Sequence, residues 1–365
     1  MITEQISQAG TSIWLDDLSR SKITGTDSHS LPHRIANDSV VGVTTNPSIF
    51  NSAISHGSEY AASISSLKGE SAEQVVKILT TDDVRSACDL FTEVFTASKG
   101  IDGRVSIEVD PRLAHESQLS IEQGRELWGI VNRPNAMIKI PATIEGLDAI
   151  TTLISEGISV NATLIFSVER YLQVFDAFVK GLENRLVAGG SIAEVTSVAS
   201  LFVSRIDTAV DAMLKAKNSE EATTLLGKAA IANAILTYQA FEDRGLSARW
   251  MALERKGARI QRPLWASTGV KDPAYDDTRY VVELVAPHTV NTMPQATLDA
   301  VIDHGKLASK GLVHNYRVSK LAFDALEAIG VSMKSVTQDL EDDGVKKFAD
   351  AWNELLANVG KALIA

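Results

Sequence analysis

Eight short apolar runs, each followed by a helical stretch, constrain this chain more than any other feature. They read TSIWLDD (11–17), VVGVTTNP (40–47), RVSIEVDP (104–111), AMIKIPA (136–142), ISVNATLIF (158–166), VASLFVSR (198–205), RPLWAST (262–268) and HTVNTMP (288–294). Strands that alternate with helices pair in parallel, because each helix returns the chain to the start of the next strand. Eight such units can close into a barrel. An α/β fold of the (β/α)8 TIM-barrel type is therefore predicted, with a doubly wound open sheet as the alternative.

The segments between the runs carry helix signals. SIEQGRELWGIV opens with Ser120 and Gln123 at capping-box spacing. TIEGLDAITTLISEG ends at Gly157, an expected C-cap. SVERYLQVFDAFVKGLENRL sets Val168, Tyr171, Leu172 and Phe175 at helical spacing. Residues 48–103 and 207–260 each have room for two or more helices beyond the barrel's own. Residues 331–365, with VKKFADAWNELLANVGKAL, are expected to form a C-terminal helical extension packed on the outside of the barrel. No linker rich in Pro, Gly or Ser divides the chain, so residues 1–365 are expected to be one domain.

Composition narrows the function. Of 365 residues, 45% are hydrophobic and 22% charged, an ordinary globular balance. A formal charge of −11 argues against a nucleic-acid surface but leaves room for a small anionic substrate held by a few cations. The single cysteine, Cys88, excludes an internal disulfide framework and points to a reducing compartment. The opening MITEQISQAG has no apolar signal core, and no run of about eighteen apolar residues occurs. A cytoplasmic location without a membrane span is expected. The seven histidines (29, 33, 56, 115, 288, 304 and 314) form no close ligand pair, so no metal is expected. Phosphate-cradling glycine motifs and a G-x-S-x-G elbow are also absent.

Polar residues recur late in the strands, where the carboxyl end of a barrel keeps its chemistry. Residues two apart share a side. Asp16 falls on the Trp14 side, Thr44 and Asn46 share a side, and Ser106, Glu108 and Asp110 share another. Lys139 interrupts MIKIP; Asn161 pairs with Thr163, and Ser200 with Phe202. One such residue would be a satisfied core group, and Lys139 alone could be a lysine snorkelling from a strand end. Six consecutive strand ends describe a polar pocket. A lysine inside a barrel suits imine formation with a carbonyl. Free lysine titrates near ~10.4, and nearby carboxylates oppose its deprotonation. Asp16 and Glu108 are thus expected either to stand away from the amine or to share a proton.

Taken in order, VVGVTTNPSIF, SIEVDPRL, IKIPAT, ISVNATLIFS and ASLFVSRID resemble the successive barrel motifs of the transaldolase family, in its longer bacterial form. Each motif is weak alone; the ordered set is specific and covers most of the chain. The resemblance implies a circularly shifted class I aldolase barrel with its lysine on the fourth strand, where counting also puts Lys139. It implies Lys139 as the Schiff-base lysine, Asp16 as the acid/base for bond cleavage, and Glu108 with Thr163 as the pair positioning a water. It implies Asn46, Asn161 and Ser200 as contacts to a dihydroxyacetone unit, with Phe202 near the lysine. Arg205 matches a phosphate-binding arginine. A second such arginine, found after strand seven in shorter members, is missing from ASTGVKD, where Ser267 and Lys271 are the available replacements.

The implied activity is transfer of a dihydroxyacetone unit between sugar phosphates in the non-oxidative pentose phosphate pathway. No cofactor is implied, and a monomer or homodimer is expected. Three alternatives stand beside it. They are a fructose 6-phosphate aldolase, a pyridoxal-phosphate barrel, and a sugar-phosphate binding barrel without catalysis.

Overall fold

The protein is described by a computed structural model covering residues 1–308, 312 and 315–364. His314, Ala365 and the side chain of His56 lie outside the described residues. Each apolar run forms a strand: β1 Thr11–Asp16, β2 Val40–Thr44, β3 Arg104–Glu108, β4 Ala136–Pro141, β5 Val160–Ile165, β6 Ser197–Phe202, β7 Arg262–Ala266 and β8 Thr289–Met293. All pairings are parallel and follow chain order, and β8 closes on β1. The barrel is the predicted one, and the open sheet is excluded.

Alternation explains the two faces of each strand. Ile13 and Leu15, Val105 and Ile107, and Ile138 and Ile140 are buried on the side away from the polar residues, under the surrounding helices. Burying each of these side chains contributes roughly 1.5–3 kcal/mol. Inside, below the carboxyl end, the fully buried Trp14 fills the barrel. Its neighbour on β2 has to be small. A Cβ built on Gly42 would lie 2.6 Å from Trp14 Cε2 and 2.7 Å from Cδ2 and Nε1.

The helix Ile144–Glu156 starts at Thr143 and stops at Gly157, whose φ of 92° is the left-handed cap expected there. The helix after β3 departs from expectation. It spans Ser117–Val131, so its N-cap is Glu116, four residues before Ser120, and it has no side-chain cap. Ser120 instead donates to Leu113 O (2.9 Å), and Gln123 Oε1 accepts from Asp110 N (2.5 Å). Both side chains are used by the loop after β3, so the capping box does not form. In that loop Asp110 also pairs with Arg112 at 2.6 Å. The long connections hold extra helices, among them Pro47–His56 and Ala72–Leu90 in the first, and Ala229–Gly245 and Ala248–Glu254 in the second.

The terminal helix, Met333–Ile364, lies outside the strand ring. Its position is over the carboxyl mouth. At one end Arg170, after β5, pairs with Glu341 at 3.3 Å. At the other, Asn358 Nδ2 donates to Asn51 Oδ1 at 3.0 Å, in the helix after β2. Between them Gly344 sits on Leu164, where a Cβ would come within 3.1 Å of Leu164 Cδ2. Leu164 is itself displaced by a bulge in β5, with φ 60° and a register shift between Ala162 and Ile165. A bulge bends a strand and re-aims its side chains; here it forms the seat of the helix.

Candidate active site

Register brings three polar residues into one row. Glu108 on β3 is opposite Lys139 on β4, and Lys139 is opposite Asn161 on β5. The side chains meet inside the barrel. Lys139 Nζ lies 3.3 Å from Glu108 Oε2 and donates to Thr45 O at 3.0 Å. Lys139 is 4% exposed and Glu108 6%, so water does little to screen them. Of the two arrangements expected for these groups, standing apart is therefore ruled out for Glu108. Burial, the dominant cause, raises its carboxyl from 4.5 to about 7, against the pull of Lys139 and aided by Asp16. A carboxyl raised in this way carries less negative charge near neutral pH than an ordinary glutamate, so it opposes deprotonation of the amine less.

Asp16 ends β1 and accepts from Thr44 Oγ1 at 2.6 Å. The same hydroxyl is 2.6 Å from Thr292 Oγ1 on β8. Desolvation raises the Asp16 carboxyl above its ordinary value, with Lys139 and the Thr44 hydrogen bond opposing. Asp17 turns the other way and pairs with Lys22 at 3.1 Å, consistent with strand parity.

The amides and hydroxyls form a chain beside the lysine. Ser200 donates to Asn161 Oδ1 at 2.7 Å, and Asn161 Nδ2 donates to Ser106 Oγ at 3.1 Å. Asn46 lies just past β2, where Oδ1 caps the next helix by accepting from Ile49 N at 3.0 Å. Asn46 and Glu108 line one cavity with Asp110, Gln123 and Trp352. Glu108 Oε1 and Thr163 Oγ1 are buried without a hydrogen-bond partner among the described residues, and Glu108 Oε2 has the Lys139 amine at 3.3 Å. Buried polar atoms in that condition are costly, and a bound water or substrate would satisfy them.

Arg205 stands just beyond β6 with its guanidinium 5.1 Å from the Phe202 ring centre and 5.9 Å from that of Phe348. Its Nη1 has no partner among the described residues, and burial lowers its pKa. Ser267 follows β7 with φ 54°, its hydroxyl 3.0 Å from that of Ser204. Lys271 lies farther along the same loop, in a cavity with Ser204, Lys215 and Tyr275.

Sequence reasoning passed over Phe348 and Trp352. Phe348 covers Lys139, its ring centre 5.7 Å from Nζ, and packs 6.3 Å from Phe202. The available signal was the pair of aromatics at i and i+4 in FADAW, which share a helix face.

A closed barrel with a buried lysine, a protonatable carboxyl and hydrogen-bonding amides at its carboxyl end belongs to the class of imine-forming carbon–carbon bond enzymes. Comparison with known proteins is specific. The family model described as Transaldolase/Fructose-6-phosphate aldolase matches residues 13–359. A protein of Thermobifida fusca named Transaldolase is 52% identical over 364 residues, covering 99% of this chain and 98% of that protein. One from Mycolicibacterium smegmatis, also named Transaldolase, is 54% identical over 354 residues, covering 96% and 94%. One from Mycobacterium tuberculosis with the same name is 53% identical over 357 residues, with the same coverage. The chain belongs to the transaldolase/fructose-6-phosphate aldolase family.

Proposed function

We propose that this chain is a transaldolase-type transferase that carries a dihydroxyacetone unit on Lys139. The donor is a ketose phosphate such as sedoheptulose 7-phosphate or fructose 6-phosphate, and the acceptor an aldose phosphate. The place is the non-oxidative pentose phosphate pathway. The Lys139 amine adds to the ketose carbonyl, and loss of water gives the imine. The C4 hydroxyl proton passes to Asp16 as the C3–C4 bond breaks. The aldose leaves and the bonding electrons stay as the enamine. Attack of the enamine on a second aldehyde returns the proton, and water releases the product. The iminium takes up the electrons, so no metal or organic cofactor is required.

The observation that carries this reading is the contact between the Lys139 amine and a Glu108 carboxyl held near neutrality by burial. A group titrating at about 7 can give and take protons in carbinolamine dehydration and hydrolysis. Thr163 Oγ1 would hold the water that links them. Asn46, Asn161 and Ser200 hold the three-carbon hydroxyls, Phe202 packs beside the imine, and Arg205 takes the phosphate with Ser267 or Lys271. A cytoplasmic monomer or homodimer accompanies this reading, to be read from sedimentation and cell fractionation.

Borohydride reduction in the presence of fructose 6-phosphate, followed by peptide mass spectrometry, tests it. A three-carbon adduct on the Lys139 peptide, absent from Lys139→Ala and Lys139→Arg, is expected. An adduct on another lysine refutes the assignment. The family description also covers aldolases. Donor supplied without acceptor separates the two, since only an aldolase accumulates free dihydroxyacetone at a rate matching transfer.

A further inference from the structure

The amino end of the barrel carries a second cavity, on the face opposite Lys139, that mixes arginines with apolar side chains. Arg104 opens β3 and Arg262 opens β7. With Arg259, Thr196, Ser197 and His288 they line a cavity against Met137 and Val198, at the strand starts. Arg104 and Arg259 also line the adjoining groove, beside Lys99 and Trp128.

Charge does not balance there. Arg262 is paired, with Nη2 2.9 Å from Asp102 Oδ1 and Nη1 donating to Ser12 Oγ at 2.8 Å. Arg104 is 2% exposed and has no carboxylate partner among the described residues. Its Nε and Nη2 donate to Gly100 O at 3.0 and 2.6 Å, and Nη1 donates to Pro134 O at 3.1 Å and to Ser159 Oγ at 3.5 Å. A guanidinium has five N–H groups, so one on Nη2 remains. Arg259 forms no ion pair among the described residues. It lies over the same glycine: a Cβ built on Gly100 would be 3.1 Å from Arg259 Nη1. With Lys99 and Glu194 of the adjoining groove, four cations thus converge with two carboxylates, Asp102 and Glu194, in a chain whose formal charge is −11. Burial, with repulsion from Arg259 and Arg262, depresses Arg104 to about 9. Buried cations without a counter-charge are costly to hold.

We propose that this cavity binds a small oxyanion of the phosphate class, held by Arg259 and the remaining donor of Arg104, and distinct from any phosphate taken at the barrel mouth. The excess of two positive charges matches a dianion, and paired guanidinium groups suit its oxygens.

The test counts inorganic phosphate bound to the full chain at constant ionic strength, by equilibrium dialysis. It is run on the wild type and on Arg205→Ala, each with and without Arg259→Ala. The Arg205→Ala background tests the floor without relying on Arg205 at the mouth. Arg259→Ala should remove one equivalent in both backgrounds, and Arg259→Gln should do the same. Phosphate should raise the Tm of Arg205→Ala more than that of the double variant, because a ligand of the native state stabilises it. Transfer activity of Arg259→Ala without added phosphate, close to wild type, shows the fold intact. Unchanged phosphate binding in both Arg259 variants overturns the proposal, as does a failure of Arg205→Ala to bind any phosphate.

Discussion

Phe348 of the terminal helix covers Lys139 of β4, its ring centre 5.7 Å from Nζ. The residue that closes the site thus comes from the end of the chain, and the lysine from the middle of the barrel. Phe348 and Lys139 are both buried, and the Arg205 guanidinium lies 5.9 Å from the centre of the same ring.

Phe348→Ala should therefore open the imine to water. Release of free dihydroxyacetone should rise relative to transfer, in assays run with and without acceptor. Truncating a buried phenylalanine costs about 3–5 kcal/mol, so a lower Tm is expected too. A variant with an unaltered ratio of release to transfer would show that the ring has no part in shielding.

Glu108→Gln keeps shape and hydrogen bonding but cannot ionise. Positioned proton transfer contributes about 10²–10⁴-fold, and imine formation in stopped flow should slow within that range. Donor binding should change little. Thr163→Ala should slow the same step, and the double variant should be less than additive if both act through one water. Imine formation at the wild-type rate would exclude the relay.

The same carboxyl makes a stability prediction. Its folded value of about 7 is above the unfolded 4.5, so the folded state binds the proton more tightly. That stabilisation is complete below the unfolded value and is lost as pH rises through the folded one. The shift corresponds to about 3 kcal/mol. Denaturant unfolding at about pH 5 and about pH 8 should show the wild type losing stability relative to Glu108→Gln. Parallel curves would contradict the assignment of that titration to Glu108.

Arg205→Ala removes a half-buried guanidinium whose buried Nη1 has no partner among the described residues. A hydrogen bond to a charged group contributes about 1.5–3 kcal/mol, or roughly one to two decades. The KM for fructose 6-phosphate should rise by that factor, and the KM for unphosphorylated fructose far less. Equal losses for both sugars would make Arg205 structural.

Gly42→Ala should strain the barrel without touching the lysine, because the new Cβ would meet the Trp14 ring at 2.6 Å. Overpacking costs about 1–3 kcal/mol. A lower Tm together with altered tryptophan emission is expected; wild-type values for both would mean that the indole can move aside.

Much of this was legible in the residues. The strands and the inward side of Asp16, Glu108 and Lys139 follow from patterns two to four residues long, and the parallel order follows from the regular alternation of strands with helices. Such patterns are written locally, because a strand alternates faces and a helix repeats its face whatever lies around it. The helix Ser117–Val131 departs from the local capping pattern for a related reason. Ser120 and Gln123 have the right spacing for a cap, but their hydrogen bonds go to a loop that only the fold brings near.

The sequence alone, then, determined the barrel, the strand that carries the lysine, and the set of polar residues facing inward. Tertiary structure decided three further things: that the terminal helix lies over the mouth, that Phe348 reaches Lys139, and that Glu108 stands 3.3 Å from the amine with its carboxyl raised to about 7. The physical reason is that these depend on packing between distant segments and on the summed exclusion of water. A carboxyl's proton affinity is set by everything that surrounds it, and that surrounding exists only once the chain has closed.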